Sequence, residues 1–171
     1  MSYSLSRRCL IGILAAGALS GCGFRLRGSF TAPFETLYVR SIDDNTPFYG
    51  TLRRTLESGS NIKLVSSEDE ADAVLDISRL QKSRDILTIN VSGKVREYEL
   101  TLQLVFSVVG PDGFEYVPET TLTSSRDLSY SESEFLSREN EEALLYEDMQ
   151  NDLLAQLTRY IEASRLPPKE L

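Results

Sequence analysis

Apolar residues occupy every second position from Tyr98 to Val108. Tyr98, Leu100, Leu102, Leu104, Phe106 and Val108 alternate with Glu99, Thr101, Gln103, Val105 and Ser107. Successive strand side chains point to opposite faces, so this run predicts a strand with one face in a core and one toward water. Gly110-Pro111-Asp112-Gly113 reads as a turn, because these residues suit turn backbones. Residues 114–117 and 120–128 are the returning strand. Upstream, residues 74–78 and 87–91 alternate as two further strands, and Ser92-Gly93-Lys94 interrupts the pattern as a turn or a bulge.

A different period marks the helices. Phe48, Leu52 and Leu56 are four apart and make one stripe, with Arg53, Arg54 and Glu57 on the other side. Thr46 suits the N-cap and Pro47 the first helical position, where no N–H is needed. Gly59 suits a left-handed C-cap. Strand formers at 36–39 and 62–65 flank this helix, and strand, helix, strand at such spacing suggests a parallel pair joined by a crossover. A second, longer helix carries Tyr146, Met149, Leu153, Leu157, Tyr160 and Ile161 on one face, bordered by Ala143 and Leu154. Ser131 and Glu134 form a capping box at its start. Two striped helices and a set of strands with one apolar face predict two layers, with both helices on one side of a mixed sheet and the other sheet face left polar.

The first 22 residues follow a third pattern. Arg7 and Arg8 precede an eleven-residue apolar run, Cys9 to Leu19, which ends in Leu19-Ser20-Gly21-Cys22. A bilayer span needs about 20 residues, whereas a basic start and a short apolar run suit a cleaved export signal. The ending resembles the bacterial lipobox. It implies that residues 1–21 are a lipoprotein signal peptide, that residues 22–171 form a single mature domain, and that Cys22 carries an S-diacylglycerol and an N-acyl chain. Gly23 stands where an Asp would favour inner-membrane retention, so the outer membrane is expected. The pair Arg7-Arg8 also partly resembles a twin-arginine signal, which leaves the export route open.

Composition narrows the chemistry. Without the leader's two arginines the chain has 16 basic and 26 acidic side chains, net −10. A chain this acidic has no general electrostatic attraction for nucleic acid. It has no His and no Trp, and its two cysteines are Cys9 and Cys22. Ser–His–Asp and Cys–His catalysis and His-ligated zinc are thereby excluded. No metal or cofactor is expected beyond the lipid on Cys22.

Three stretches then carry a family resemblance: Gly21-Cys22-Gly23-Phe24-Arg25-Leu26-Arg27-Gly28, Arg96-Glu97-Tyr98-Glu99-Leu100, and Arg126-Asp127-Leu128-Ser129-Tyr130-Ser131-Glu132 leading to Glu141-Glu142-Ala143-Leu144-Leu145-Tyr146-Glu147-Asp148-Met149. Together they resemble the LPS-assembly lipoprotein family LptE. The resemblance implies an α+β fold, two helices packed on one face of a mixed, roughly four-stranded sheet. It implies a non-enzymatic protein on the inner leaflet of the outer membrane that plugs the barrel LptD and helps lipopolysaccharide reach the cell surface. It also implies lipopolysaccharide contacts from basic residues near a strand turn and near the start of the last helix. Arg138 matches the helix position. Before the turn glycine the basic position is Val91 here, and Lys94 and Arg96 flank the turn on its other side. Glu99, Thr101 and Gln103, on the polar face of the long strand, are the expected barrel contacts. Two other readings stand beside this one. One is an outer-membrane lipoprotein that serves a different envelope assembly. The other is a hydrolase using Glu97 and Glu99 as paired carboxylates, although two carboxylates two apart on a strand face more often form a solvated ladder.

Overall fold

The period-two and period-3.6 stripes meet in one core between a sheet and two helices. The computed structural model describes residues 30–41, 46–129 and 135–164, with side chains in the last stretch from residue 139. The elements are β1 (Thr36–Ser41), α1 (Pro47–Gly59), β2 (Lys63–Leu64), a 3-10 turn (Glu68–Glu70), β3 (Ala73–Ile89), β4 (Val95–Val109), β5 (Glu115–Ser129) and α2 (Phe135–Glu162). The sheet order is β2-β1-β3-β4-β5. β1 is parallel to β2 and β3, and β3, β4 and β5 are antiparallel. The fold is α+β, as expected, with five strands instead of four because the two-residue β2 pairs with β1.

The alternation in β4 holds. Leu100, Leu102, Leu104, Phe106 and Val108 are fully buried against the helices, together with Leu37, Leu75 and Ile77. Residues 74–78 and 87–91 alternate as two strands in the sequence, but 74–78 and 87–89 belong to one strand of 17 residues that ends at Ile89, and Asn90 and Val91 fall in the turn after it. The intervening residues 79–86 are mostly polar and carry no core pattern. Pairing with β4 holds them extended, from Arg79↔Val105 to Ile86↔Tyr98.

α1 starts as its sequence demands. Thr46 Oγ1 accepts from the Tyr49 N–H at 3.2 Å, and Phe48, Leu52 and Leu56 are buried. Its end differs from expectation. Gly59 is not a left-handed cap, since only Gly93 and Gly113 have positive φ among the described residues. Ser60 ends the helix in an extended conformation, and its hydroxyl donates to Leu56 O at 2.6 Å. In α2, Tyr146, Met149, Leu153, Leu154, Leu157 and Ile161 are buried. Tyr160 is 44% exposed and touches Phe106 edge-on, because neighbouring Ile161 takes the inward position. The capping box of Ser131 and Glu134 lies outside the described residues.

Two local devices fix the strands. Asp72 precedes β3, and its Oδ2 accepts from the N–H groups of Thr36 (2.8 Å) and Glu35 (3.1 Å), while Thr36 Oγ1 accepts from the Asp72 N–H at 2.8 Å. The hydrogen bonds from Thr36 and then Glu35 hold its carboxyl below the usual carboxylate range. That contribution to stability is present above the ordinary carboxylate pKa of about 4 and fades as the pH falls through the lower folded value.

The second device lies at an edge. β1 pairs with β3 only as far as Ile77, so the outer edge of β3 is open beyond it. Such edges invite unwanted pairing and are commonly covered by a helix. α2, which lies mainly over β5 and β4, reaches this strand at two points: Tyr146 Oη donates to Ser83 O at 2.8 Å and Glu142 pairs with Arg84 at 3.0 Å. Tyr146→Phe is expected to lower stability by about 1 kcal/mol, the net worth of one hydrogen bond, as a shift of the urea midpoint at unchanged slope. An unchanged midpoint would show that the bond does not hold the edge. No helix among the described residues is long and apolar enough to cross a membrane.

Candidate functional site

β3 and β4 run beyond the helices to a turn at Asn90-Val91-Ser92-Gly93-Lys94. Asn90 organises the turn. Its Oδ1 accepts from the Ser92 and Lys94 N–H groups at 3.0 Å, its own N–H donates to Lys94 O at 2.8 Å, and its carbonyl accepts from the Gly93 N–H at 2.9 Å. Gly93 has φ of 75°, a left-handed conformation that strains most side chains. The interruption at Ser92-Gly93-Lys94 is therefore a turn, not a bulge.

This arm is basic in an acidic chain. Residues 79–96 hold Arg79, Lys82, Arg84, Lys94 and Arg96 against Asp85, and the β4 residues paired with them add Glu97 and Glu99, so the two-stranded arm 79–105 is net +2 where the whole chain is −8. All five cations are exposed. Arg84 is the best fixed, between Glu142 at 3.0 Å and the ring of Tyr98 at 4.9 Å. Lys82 lies 4.6 Å from the ring of Tyr146.

The predicted lipopolysaccharide-binding residues gather at this end. Lys94 closes the turn and Arg96 lies two residues into β4. Arg138 belongs to the first turn of α2, although its side chain lies outside the described residues. The helix reaches Arg84 through Glu142, and position 138 is one turn further toward its start, which brings it to the end of the sheet that holds Lys94 and Arg96. Sequence reasoning missed Lys82 and Arg84. The signal was available, as five basic residues within eighteen. Also missed were four apolar side chains at the end of the arm, Ile86, Leu87, Ile89 and Val91, all exposed.

The predicted barrel contacts share the sheet face opposite the helices. In register, Glu99 lies between Asp85 and Asp127, Thr101 between Ser83 and Ser125, and Gln103 between Gln81 and Thr123. All three β4 residues are half-buried by their neighbours alone. The face is a band of hydroxyls and amides with carboxylates toward the turn end. Like charges opposed across strands are destabilising, so Asp85, Glu99 and Asp127 stand there at some cost.

Other candidates separate from this picture. Near the start of β3, on the same open face, a cleft of about 550 Å³ is lined by Arg40, Glu68, Val74, Asp76, Ser107 and Pro111 among others. Arg40 is paired there with both Glu68 and Asp76. One cation between two carboxylates makes a poor anion site. Glu97 accepts from the Thr88 hydroxyl at 3.0 Å and stands on the open sheet beside Glu99. Among the described residues, no group of three or more acidic, His or Cys side chains could hold a metal ion. Cys22 lies outside the described residues.

Comparison with known proteins adds to this. The model of the family described as LptE, lipopolysaccharide-assembly, matches residues 34–161. The LPS-assembly lipoprotein LptE of Photorhabdus laumondii is 28% identical over 152 residues, covering 86% of this chain and 81% of that one. Its namesake from Pectobacterium atrosepticum is 28% identical over 149 residues, covering 85% and 79%. Among solved structures, an uncharacterised lipoprotein B from Nitrosomonas europaea superposes with a TM-score of 0.70 at 27% identity, covering 82% of this chain and 91% of that one. The rare lipoprotein B from Shewanella oneidensis shares the fold, with a TM-score of 0.64 at 24% identity over 72% of this chain and 91% of its own. The family match spans both helices and all five strands, from just before β1 to the last turn of α2, and the chain belongs to the lipopolysaccharide-assembly family LptE.

Proposed function

We propose that this protein is an outer-membrane lipoprotein, held to the inner leaflet through acyl chains on Cys22, that plugs the barrel LptD and helps deliver lipopolysaccharide to the cell surface. The observation that carries the reading is the asymmetry of the sheet. One face is sealed by two helices. The other is a broad, uncharged-polar band around Thr101 and Gln103 that no element among the described residues covers. A polar face of this kind suits the wall of a barrel lumen, which is itself polar. The basic pole then faces a phosphate-bearing ligand. Lys94, Arg96 and Arg138 supply point charges and planar guanidinium groups, and a guanidinium holds a phosphate through two parallel hydrogen bonds.

Two linked measurements test the reading. A photocrosslinker at Thr101 should trap LptD in cells, whereas one at Lys169 in the C-terminal tail should not. Arg138→Asp with Lys94→Asp should lower lipopolysaccharide binding at least tenfold, added salt should weaken the parent protein, and co-purification with the barrel should persist. Failure of Thr101 and its neighbours to trap the barrel would remove the plug assignment. Salt-insensitive, unchanged binding in the double variant would remove the basic pole.

A further inference from the structure

β5 leaves one edge of the sheet bare. It is the outermost strand, 15 residues long, and among the described residues it pairs with β4 alone. From Thr120 to Ser129 its ladder with β4 runs through ten consecutive pairs without a bulge. The N–H and C=O groups of successive strand residues point to opposite sides. Parallel strands joined through a helix cross over right-handedly, and for β1–α1–β2 that hand fixes which side is which. Leu122, Ser124 and Leu128 are buried beneath the helix layer, so they turn their groups toward β4. Thr121, Thr123, Ser125, Asp127 and Ser129 turn theirs outward, and all five are exposed. The Ser125 carbonyl accordingly accepts from the Arg126 guanidinium at 2.8 Å.

Natural sheets guard such edges with short strands, prolines, lysines or bulges. β2 is two residues long, and the open stretch of β3 is bulged between Ile77 and Arg79 and again between Ile86 and Thr88. β5 has a proline, Pro118, and a register shift before Thr120, and neither afterwards. Thr120 to Ser125 is an uncharged run of six residues, about 20 Å of strand. An edge left regular and uncharged over that length is a template for pairing.

A row of alternating N–H and C=O groups at strand spacing is matched by one kind of partner, another extended polypeptide. Lipopolysaccharide cannot supply it. A second copy of this chain is disfavoured, because each mature copy is net −10 and the copies repel. The outward residues belong to the same polar band as Thr101 and Gln103: Ser125 is opposite Thr101 and Thr123 is opposite Gln103. Whatever covers the band also borders the edge. We propose that an extended segment of the barrel adds to β5 as a sixth strand of the sheet. The added strand rests on the plug reading and deepens it. The strands of a closed barrel wall are already paired on both sides, so the guest is a loop segment folded into the lumen. Its side chains alternate. Those on the helix side continue Leu122 and Leu128 and are apolar or small. Those on the other side continue the hydroxyl band, with a Lys or Arg beside Asp127, which already opposes Glu99 and gains from an opposite charge.

Hydrogen exchange read residue by residue tests this on the lipidated protein, alone in detergent and co-purified with the barrel. Alone, the amides of Thr121, Thr123, Ser125 and Asp127 should exchange fast, and those of Leu122, Ser124 and Arg126 slowly. In the complex the fast set should slow about a hundredfold, as amides do on entering a stable ladder. This comparison needs no variant. Proline is tolerated on an edge strand when its N–H side faces out, so Thr123→Pro should stay folded and still co-purify through the open face, while Thr121 and Ser125 lose most of their protection. Thr123→Gln, which keeps the N–H, should retain it. Fast exchange in the complex would overturn the added strand and leave the plug reading standing. Protection undisturbed by Thr123→Pro would overturn it too, by showing an edge that is covered without being paired. Protection already present in the protein alone would overturn it by assigning the edge to a second copy or to the chain's own tail. Failure to co-purify would remove the plug reading, and the added strand with it.

Discussion

Leu102→Asp is expected to unfold the domain, while Gln103→Asp, one residue along the same strand, is expected to leave it folded. Leu102 has no exposed surface and lies between Lys82 and Ser124 in the register, on the face that α2 covers. Truncating such a leucine costs about 2–5 kcal/mol through lost burial and the cavity left behind. An aspartate there adds the cost of a charge in an apolar site, where no cation comes with it. Lys82 is its register neighbour, but that ammonium already lies over Tyr146 at the exposed edge. Domains of this size have about 5–15 kcal/mol in total, so the variant should have little or no folded state at 37 °C. Gln103 is half-buried on the opposite face among Gln81 and Thr123. Surface changes of that kind stay within about 0.5 kcal/mol. Circular dichroism melts of the two variants decide the matter. Equal melting temperatures would mean that the assigned register is wrong.

Cys22→Ala is expected to abolish lipidation and with it stable membrane attachment. Each buried methylene contributes about 0.8 kcal/mol, and a single acyl chain holds a protein only reversibly, whereas two or more make a lasting anchor. Loss of every chain should therefore release a protein that is still folded. Cells fed a radioactive fatty acid should label the parent protein and not the variant. Label that persists in the variant would place the modification elsewhere. Fractionation adds a second readout. The released protein should move from the membrane to the soluble fraction, apart from what the barrel retains.

Much of the fold is legible in the sequence because local and global preferences agree. The run from Tyr98 to Val108 alternates and is a strand with a buried face. Thr46-Pro47 with Phe48, Leu52 and Leu56 gives a capped, striped helix where one forms. In both cases the residues that set the local geometry also supply the core contacts. The absence of His, and of any cysteine beyond Cys9 and Cys22, likewise removes whole classes of chemistry without any knowledge of shape.

Tertiary structure decided the rest. Residues 79–86 have no core pattern of their own, and they are strand because β4 supplies the partner backbone. Gly59 could have been a left-handed cap, but Ser60 continues in extended conformation, because the chain must turn directly into β2. Leu87, Ile89 and Val91 alternate as core residues do, yet they and Ile86 are exposed, because no second layer among the described residues reaches them. Periodicity reports which side chains share a face. It does not report whether anything lies over that face. The gathering of Lys94, Arg96 and position 138 at one pole is of the same kind, since it depends on α2 starting at the turn end of the sheet, where Glu142 meets Arg84, and running away from it to Tyr160 against Phe106.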